Sequence, residues 1–530
     1  VQLSELLNGH HHQVLQGDAT RAEITGGMSF DAGEMRPGSL FIAVPGHGGG
    51  GPEAVAQAVE RGAVAVLVEG MSGGGGGGEA PGPGGGRAPA DDRAPAAYAQ
   101  GSERVPERVD VPEGAGLPAG VCVVRVPDIR TLSPVVASRY YGEPGRAMDV
   151  VAVTGTNGKT SVSSMVESLL ALAEGARVGV IGTGGSRIGR GAIPMPWSVL
   201  STPETPDLQY LLGYMRDHGA GSVALEATSM GLLTHRLDRT FLDVGIFTNL
   251  TQDHLDDHGT MENYKNAKLR LFRGLCRRAV VNADDPVGAE IQALMPGATI
   301  TYSLETEADY RATDLVVDAS GSRFTLHHGD RKYPAAIPTP GRYSVSNALA
   351  AVAACHLLGH DLEALVGVLD RMPTVPGRFE SFETPQGASV IVDYAHSPDS
   401  LEKVLAVIRG FAPARVITVF GCGGDRDVTK RAIMGVIAGE LSDLCVLTSD
   451  NPRTEDPEAI LDHVTVGLTR TGTPFERRAD RRDAIRYALA AAGKDDVVLI
   501  AGKGAEQHQL AGGELIPFSD MEVARDLAGA

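Results

Sequence analysis

The sequence predicts an α/β protein in three domains, the central one a P-loop parallel sheet, and three observations carry that expectation. At 530 residues the chain is longer than a single hydrophobic core supports. Short apolar runs alternate with amphipathic stretches along most of its length, the pattern of strands covered by helices. One such run, Val151-Ala-Val-Thr154, ends in the glycine-rich turn Gly155-Thr-Asn-Gly-Lys-Thr160, which opens directly into an amphipathic segment. The expected domains are 1–147, 148–375 and 376–530.

In the first domain, Ser39-Leu-Phe-Ile-Ala-Val44 and Ala63-Val-Ala-Val-Leu-Val68 read as strands, with a short helix from Glu53 to Arg61 between them. Residues 70–118 contain the glycine runs Gly73–Gly78 and Gly84–Gly86 among Pro, Ala and charged residues. Such a stretch cannot bury enough apolar surface to offset its ordering entropy, and is expected to be a flexible insertion. A lid role has only its position in favour. Val121–Val126 resumes a strand, and Ile129–Tyr141 is a helix leading out of the domain.

The second domain starts at 148 and adds strands at Val223-Ala-Leu-Glu226, Val244-Gly-Ile-Phe-Thr248 and Ala279-Val-Val-Asn282. A strand-rich patch from Asp314 to Ala336 follows, and 342–372 reads as helical. From Arg378 a third α/β unit is expected, with strands at Ser389–Val392, Arg415–Phe420, Leu444–Thr448 and Val497–Ile500.

The turn at 155–160 has the chemistry of a phosphate cradle. Backbone N–H groups from Gly155, Thr156, Asn157, Gly158, Lys159 and Thr160 would face anionic oxygens at a helix N-terminus, and Ser161 joins them in the expected nucleotide site. Lys159 would neutralise β- and γ-phosphates, and the Thr160 hydroxyl would ligate Mg²⁺. ATP or a relative is the expected ligand. Glu226 ends a strand where a carboxylate can reach the metal, and His254 follows another strand, within Asn249-Leu-Thr-Gln-Asp-His-Leu-Asp256. A structural histidine is the alternative for His254, and a solvated helix face is the alternative for the basic stretch Tyr264–Arg270.

Net charge of −19 argues against nucleic acid as a partner. Five cysteines without Cys-x-x-Cys spacing fit free thiols in a reducing cytosol, so a cytoplasmic location is expected. No signal peptide or bilayer-length apolar stretch is seen, so no membrane partner is expected. The start at Val1 suggests a few trimmed residues.

Further segments make the pattern specific: Gly341-Arg-Tyr-Ser-Val-Ser-Asn347, Val375-Pro-Gly-Arg378, Val392-Asp-Tyr-Ala-His-Ser-Pro-Asp399, Phe420-Gly-Cys-Gly-Gly-Asp-Arg426, Ser449-Asp-Asn-Pro-Arg453 and Ala501-Gly-Lys-Gly-Ala-Glu506. In this order they resemble the Mur ligases, densely from about 148 to 526 and more thinly over 1–68. The resemblance implies the three-domain Mur ligase architecture with a C-terminal Rossmann-like domain. It implies ATP-dependent addition of meso-diaminopimelate to a UDP-N-acetylmuramoyl dipeptide through an acyl phosphate, by a monomer.

The same resemblance implies residue roles. Lys159, Lys268 and His254 are catalytic, Lys268 as a carbamylated lysine, and Thr160, Glu226, His254 and Lys268 serve two Mg²⁺ ions. Asn347 meets the adenine, while Arg378 and Asp393 meet ATP from the third domain. Ser201, Thr202, Ser229 and Arg236 hold the muramoyl-peptide acceptor. Asp450, Asn451, Arg453, Arg426, Gly502 and Glu506 hold the amino acid. Here a guanidinium would pair the distal carboxylate, with Asn451 and Glu506 accepting from the ammonium.

Departures from the family pattern are Asp31-Ala32-Gly33 in place of Asp-Ser-Arg, the loop His47–Pro52, Met230 after the serine, and Ala505 in place of a histidine. They bear on the acceptor and leave the ATP apparatus intact. Two alternatives follow: a related ligase acting on another carboxylate, and an ATP-binding scaffold without catalysis.

Overall fold

The computed structural model describes residues 1–45, 51–70, 117–194, 200–412 and 414–529. Most of the expected insertion and of the loop 47–52 lies outside them. The described chain forms two compact units, Val1–Ala147 with Pro194–His218 and Met230–Phe241, and Met148–Ile193 with Gly219–Ser229 and Leu242–Ala530.

In the first unit, five strands lie in the order Gln13–Gln16, Cys122–Val126, Ala63–Glu69, Ser39–Ala43, Met28–Ser29, with only the first antiparallel to its neighbour. Ser39–Ala43 is buried along its whole length, as an unbroken apolar run requires of a strand covered on both faces. Leu40 and Ile42 enter one core and Phe41 and Ala43 the other. Asp128 caps the helix Ile129–Tyr140 by accepting from Thr131 N at 3.0 Å. The helix Thr205–Asp217 belongs to this unit, and its Arg216 donates to the Tyr141 carbonyl at 3.0 Å.

The second unit holds an eleven-stranded and a six-stranded sheet. In the larger, a parallel core runs Tyr310–Asp318, Thr299–Ser303, Cys276–Asn282, Leu242–Phe247, Asp149–Thr154, Ser222–Glu226, Val178–Gly182. Antiparallel strands extend both edges. The glycine-rich turn therefore leaves the middle of the sheet, flanked by the strand ends that carry Glu226 and Thr248. Its helix, Lys159–Glu174, buries Val162, Val166, Leu169 and Leu170 completely among the same core residues as the helix Arg342–Leu357. Each such side chain contributes about 1.5–3 kcal/mol.

The smaller sheet runs Glu380–Glu383, Ser389–Asp393, Val497–Ala501, Val416–Phe420, Leu444–Leu447, Phe475–Arg477, all parallel except the first pairing. Two apolar clusters cover its faces.

The stretch 342–372, expected to be helical throughout, is three helical pieces: Arg342–Leu357, Leu362–Val366 and Leu369–Arg371. Gly359, at φ +109°, turns the chain, and Asp361 caps the second piece by accepting from Ala364 N at 2.8 Å. The hairpin His508–Ala511/Glu514–Pro517 carries no sequence signal that named it.

Candidate active site

The phosphate cradle depends on two glycines. Gly155 sits at φ +143° and Gly158 at φ +92°; a Cβ there would meet Thr248 Oγ1 at 1.9 Å and Asn347 Oδ1 at 2.6 Å. Residues not singled out from sequence brace the turn. Thr156 N and Asn157 N donate to the carbonyl and side-chain oxygens of Asn249 at 2.8 and 3.0 Å. Thr248 Oγ1 donates to the Asn157 carbonyl at 2.6 Å. Open N–H groups at the helix start are thereby preorganised for an anion.

Two lysines converge on one carbonyl. Lys159 Nζ and Lys268 Nζ each donate to the Gly155 oxygen at 2.9 Å, and Lys159 also donates to the Thr156 carbonyl at 2.8 Å. Lys268 is 1% exposed, with its amine 4.2 Å from the Tyr264 ring centre. Burial, and then the charge of Lys159, lower the Lys268 pKa well below its ordinary value. A neutral amine is the form that reacts with carbon dioxide, so this environment fits a carbamylated lysine.

The expected metal set divides into three places. Thr160 Oγ1 donates to Glu226 Oε1 at 2.9 Å, and Glu226 also accepts from Thr183 N at 2.8 Å and Thr183 Oγ1 at 3.1 Å. This hydroxyl–carboxylate pair is a hard-oxygen donor set of the kind Mg²⁺ takes. His254 stands with Asp256 and Asp257 in a group whose ligand atoms lie within 4.8 Å of one another. Lys268 lies beneath the turn. Asp253, beside His254, is held at a pKa of about 2: burial works to raise it, but His396, His254 and Lys430 outweigh burial.

Asn157, Gly158, Ser161, Asn347, Arg378 and Asp393 line one cavity of about 100 Å³, together with Asn249, Tyr343 and Lys403. Arg378 donates to Thr160 Oγ1 at 3.1 Å and stacks 4.2 Å from the Tyr394 ring centre. Asp393 accepts from Phe379 N and Ala395 N, both at 2.8 Å, while burial raises its pKa.

Of the residues assigned to the acceptor, Ser201, Thr202 and Arg236 belong to the first unit and Ser229 to the second. Arg236 pairs with Glu204 at 2.9 Å and donates to the Thr202 carbonyl at 3.1 Å. Arg130, which no sequence signal marked, also pairs with Glu204 at 2.9 Å. Asp31 Oδ1 accepts from Gly33 N at 2.6 Å, so this departure from the pattern forms a local turn with no guanidinium.

Asp450, Asn451, Arg453, Arg426, Gly502 and Glu506 line one cavity of about 150 Å³. Burial, and then the like charge of Arg426, lower the Arg453 pKa, so two guanidinium groups share a site that favours an anion. Arg453 adopts φ +53° and is held between Leu510 O (3.0 Å from its N) and Gly512 N (2.7 Å from its O) by the hairpin. Asp450 Oδ2 is buried with no hydrogen-bond partner, an open acceptor at the cavity wall. Asn451 differs from expectation. Its Oδ1 accepts from Lys503 Nζ at 3.0 Å and Leu510 N at 2.9 Å, and its Nδ2 donates to Glu506 at 3.0 Å. The amide is thus occupied internally, and Lys503, fully buried, clamps it to Glu506 at 2.7 Å.

A profile of the Mur ligase middle domain matches residues 153–355, and one of the Mur ligase glutamate ligase domain matches 377–504. A protein of Caldanaerobacter subterraneus subsp. tengcongensis named UDP-N-acetylmuramoyl-L-alanyl-D-glutamate–2,6-diaminopimelate ligase is 36% identical over 99% of both chains. The chain belongs to the Mur ligase family. A Geobacillus thermodenitrificans protein of the same name is 39% identical over 94% of each chain. A solved diaminopimelate ligase structure superposes on this Mur ligase with a TM-score of 0.64 at 30% identity, covering 100% of this chain and 99% of the other. The ADP complex of a MurF ligase from Thermotoga maritima shares the fold, at a TM-score of 0.61 and 16% identity over 95% and 97%. This Mur ligase is an ATP-dependent amide-bond-forming enzyme.

Proposed function

We propose that this Mur ligase joins meso-diaminopimelate to UDP-N-acetylmuramoyl-L-Ala-D-Glu in peptidoglycan precursor synthesis. The observation that carries the reading is the cavity in which Arg426 and Arg453 face the open Asp450 Oδ2 and Glu506. A second amino-acid end, carboxylate and ammonium together, needs both signs of partner in one buried place. A lysine side chain has no use for the paired guanidinium groups.

ATP phosphorylates the acceptor's terminal carboxylate, the amine of the incoming amino acid attacks the acyl phosphate, and phosphate leaves. Lys159 swings from its carbonyl partners to the transferring phosphoryl group, and the N–H groups at the start of the helix hold the phosphate oxygens, those of Thr156 and Asn157 being taken by Asn249. Asn347 and Tyr343 enclose the base, while Arg378 and Asp393 face the rest of the nucleotide. Such catalysis is positioning and electrostatics. Thr160 and Glu226 would hold one Mg²⁺; His254 and carbamylated Lys268, which stand in separate places, are each read from the family resemblance as serving a second. When bound, the ions supply positive charge to the phosphate oxygens. Ser201, Thr202, Ser229 and Arg236 hold the acceptor.

We read the chain as three functional parts, 1–147, 148–375 and 376–530, supported by its separate sheets. It acts as a monomer on small molecules, and five free, buried cysteines support a reducing, cytoplasmic setting. Among the described residues no helix is long and apolar enough to cross a membrane.

The test is phosphate release from ATP with the UDP-muramoyl dipeptide, comparing meso-diaminopimelate, L-lysine and no amino acid. Release with diaminopimelate alone, and a product of the matching mass, is the expected result. ATP binding without turnover in all three would move the acceptor to another carboxylate.

A further inference from the structure

A buried histidine that the reaction scheme leaves unused lies against Ser229. His258 closes the short helix Leu255–His258 and is 3% exposed. Its Nε2 lies 2.9 Å from Ser229 Oγ, the first residue of the helix Ser229–Leu233. The ring is backed by Tyr264, and the main chain of His258 is held at both its polar groups. Its ring packs 5.1 Å from the Tyr264 ring centre, its backbone N–H donates to the His254 carbonyl at 3.0 Å, and its carbonyl accepts from Asn263 Nδ2 at 2.9 Å.

An imidazole nitrogen engages a hydroxyl as donor or as acceptor, according to its tautomer. A hydroxyl without a partner rotates among staggered positions; a fixed partner leaves it one orientation. We propose that His258 is a positioning residue for the acceptor substrate: it locks the Ser229 hydroxyl, so that the remaining hydrogen-bonding capacity of Ser229 faces the acceptor's peptide. This rests on the reading of Ser229 as an acceptor contact. His258 itself touches no substrate; it acts through Ser229. Tyr264 links the pair to the phosphate turn, since its ring backs His258 while its hydroxyl donates to Thr156 Oγ1 at 3.2 Å.

The experiment is a double-mutant cycle on the full chain with steady-state kinetics for all three substrates. His258→Asn places its amide near the Nδ1 position, short of Ser229, whereas His258→Gln reaches the Nε2 position. His258→Asn raises the acceptor KM by about tenfold, the size of one lost hydrogen bond. The KM values for ATP and diaminopimelate, and kcat, stay within about twofold. His258→Gln restores the acceptor KM to within about threefold of the native enzyme. Ser229→Ala shows the same rise, and His258→Asn adds nothing to it, because the two residues act as one unit. If Ser229→Ala raises the acceptor KM and His258→Asn does not, the role of His258 is overturned and the reading of Ser229 stands. If Ser229→Ala leaves the acceptor KM unchanged, the reading of Ser229 falls, and the inference with it. Equal losses for ATP and acceptor with no rescue by Gln would make His258 a packing residue and overturn the proposal. Folding is checked by ATP binding, which is read independently of turnover.

Discussion

Lys268 and Lys159 share the Gly155 carbonyl at 2.9 Å each, in a place from which water is excluded. Two ammonium groups cannot both keep their protons there at low cost, and burial lowers the pKa of each, with the charge of Lys159 adding to the fall at Lys268. Lys268→Ala is expected to abolish nearly all turnover while ATP affinity, measured by calorimetry, changes little. At the amino-acid cavity, a Cβ on Gly502 would lie 2.3 Å from Asp450 Oδ2, with the backbone at φ +120°. Gly502→Ala is expected to raise the KM for diaminopimelate more than about tenfold, since it displaces a charged hydrogen-bond acceptor; the KM for ATP stays unchanged in the same assay. In the first unit, burial, then Glu34 and Glu204, push the Asp207 carboxyl up to about 7 from 3.8. The folded form thus holds a proton that the unfolded chain has released, and stability falls as pH rises from 3.8 through about 7. Asp207→Asn is expected to raise Tm most at pH 8.5 and by less at pH 5, where only the first part of the window between 3.8 and about 7 has been crossed, as thermal scans at the two pH values would read out.

Elements deliver these residues to their places. In open α/β sheets ligands gather at the carboxyl ends of strands, and Thr154, Glu226 and Phe247 end three adjacent ones. The smaller sheet repeats the device: Asp393 and Ala501 end neighbouring strands, with Asp450 and Gly502 in the loops beyond. Those loops are held from behind by Arg481, fully buried, which donates to the Ser449 and Ala501 carbonyls at 3.2 and 3.0 Å. It also forms a two-bond pair with the buried Asp520, each bond 2.7 Å. Arg481→Met leaves Asp520 charged and unpaired in the interior. An unfolding free energy lower by about 3–5 kcal/mol is expected from denaturant titration. The run of apolar residues made these strands legible in the sequence. Arg481 begins a helix among other charged residues, and no neighbour in the sequence marks its buried partner Asp520.

For the whole molecule, the phosphate turn, the two lysines, the cavity around Asn347 and the Arg453 pocket all belong to the second unit. ATP binding should therefore stabilise that unit as a body. At ATP near 100 times its Kd the gain is about 2.7 kcal/mol. Chelation of Mg²⁺ is expected to remove most of the resulting rise in Tm, if Thr160 and Glu226 hold the ion. A rise that survives chelation would separate nucleotide binding from the metal. The two units also show why the chain's order misleads. Residues 194–218 and 230–241 pack with the N-terminal 147 residues although the strands on either side of them pair in the central sheet.

By itself the sequence determined the features whose physics is local. A strand of apolar residues, a turn needing positive φ at Gly155 and Gly158, and a helix that begins on Lys159 are set by neighbours within a few positions. Chemistry that demands contiguous residues, such as Asp450-Asn451-Pro452-Arg453, was legible for the same reason. Only the tertiary structure decided how distant groups share partners. Lys268 reaches a carbonyl 113 residues away, and Lys503 occupies an amide 52 residues away and so removes Asn451 from the task its chemistry suggested. Ser229 and His258, 29 positions apart, become a pair because the strands that lead to them both flank the strand Asp149–Thr154. A buried donor must find an acceptor, and packing across the sheet, which no local pattern encodes, determines which one.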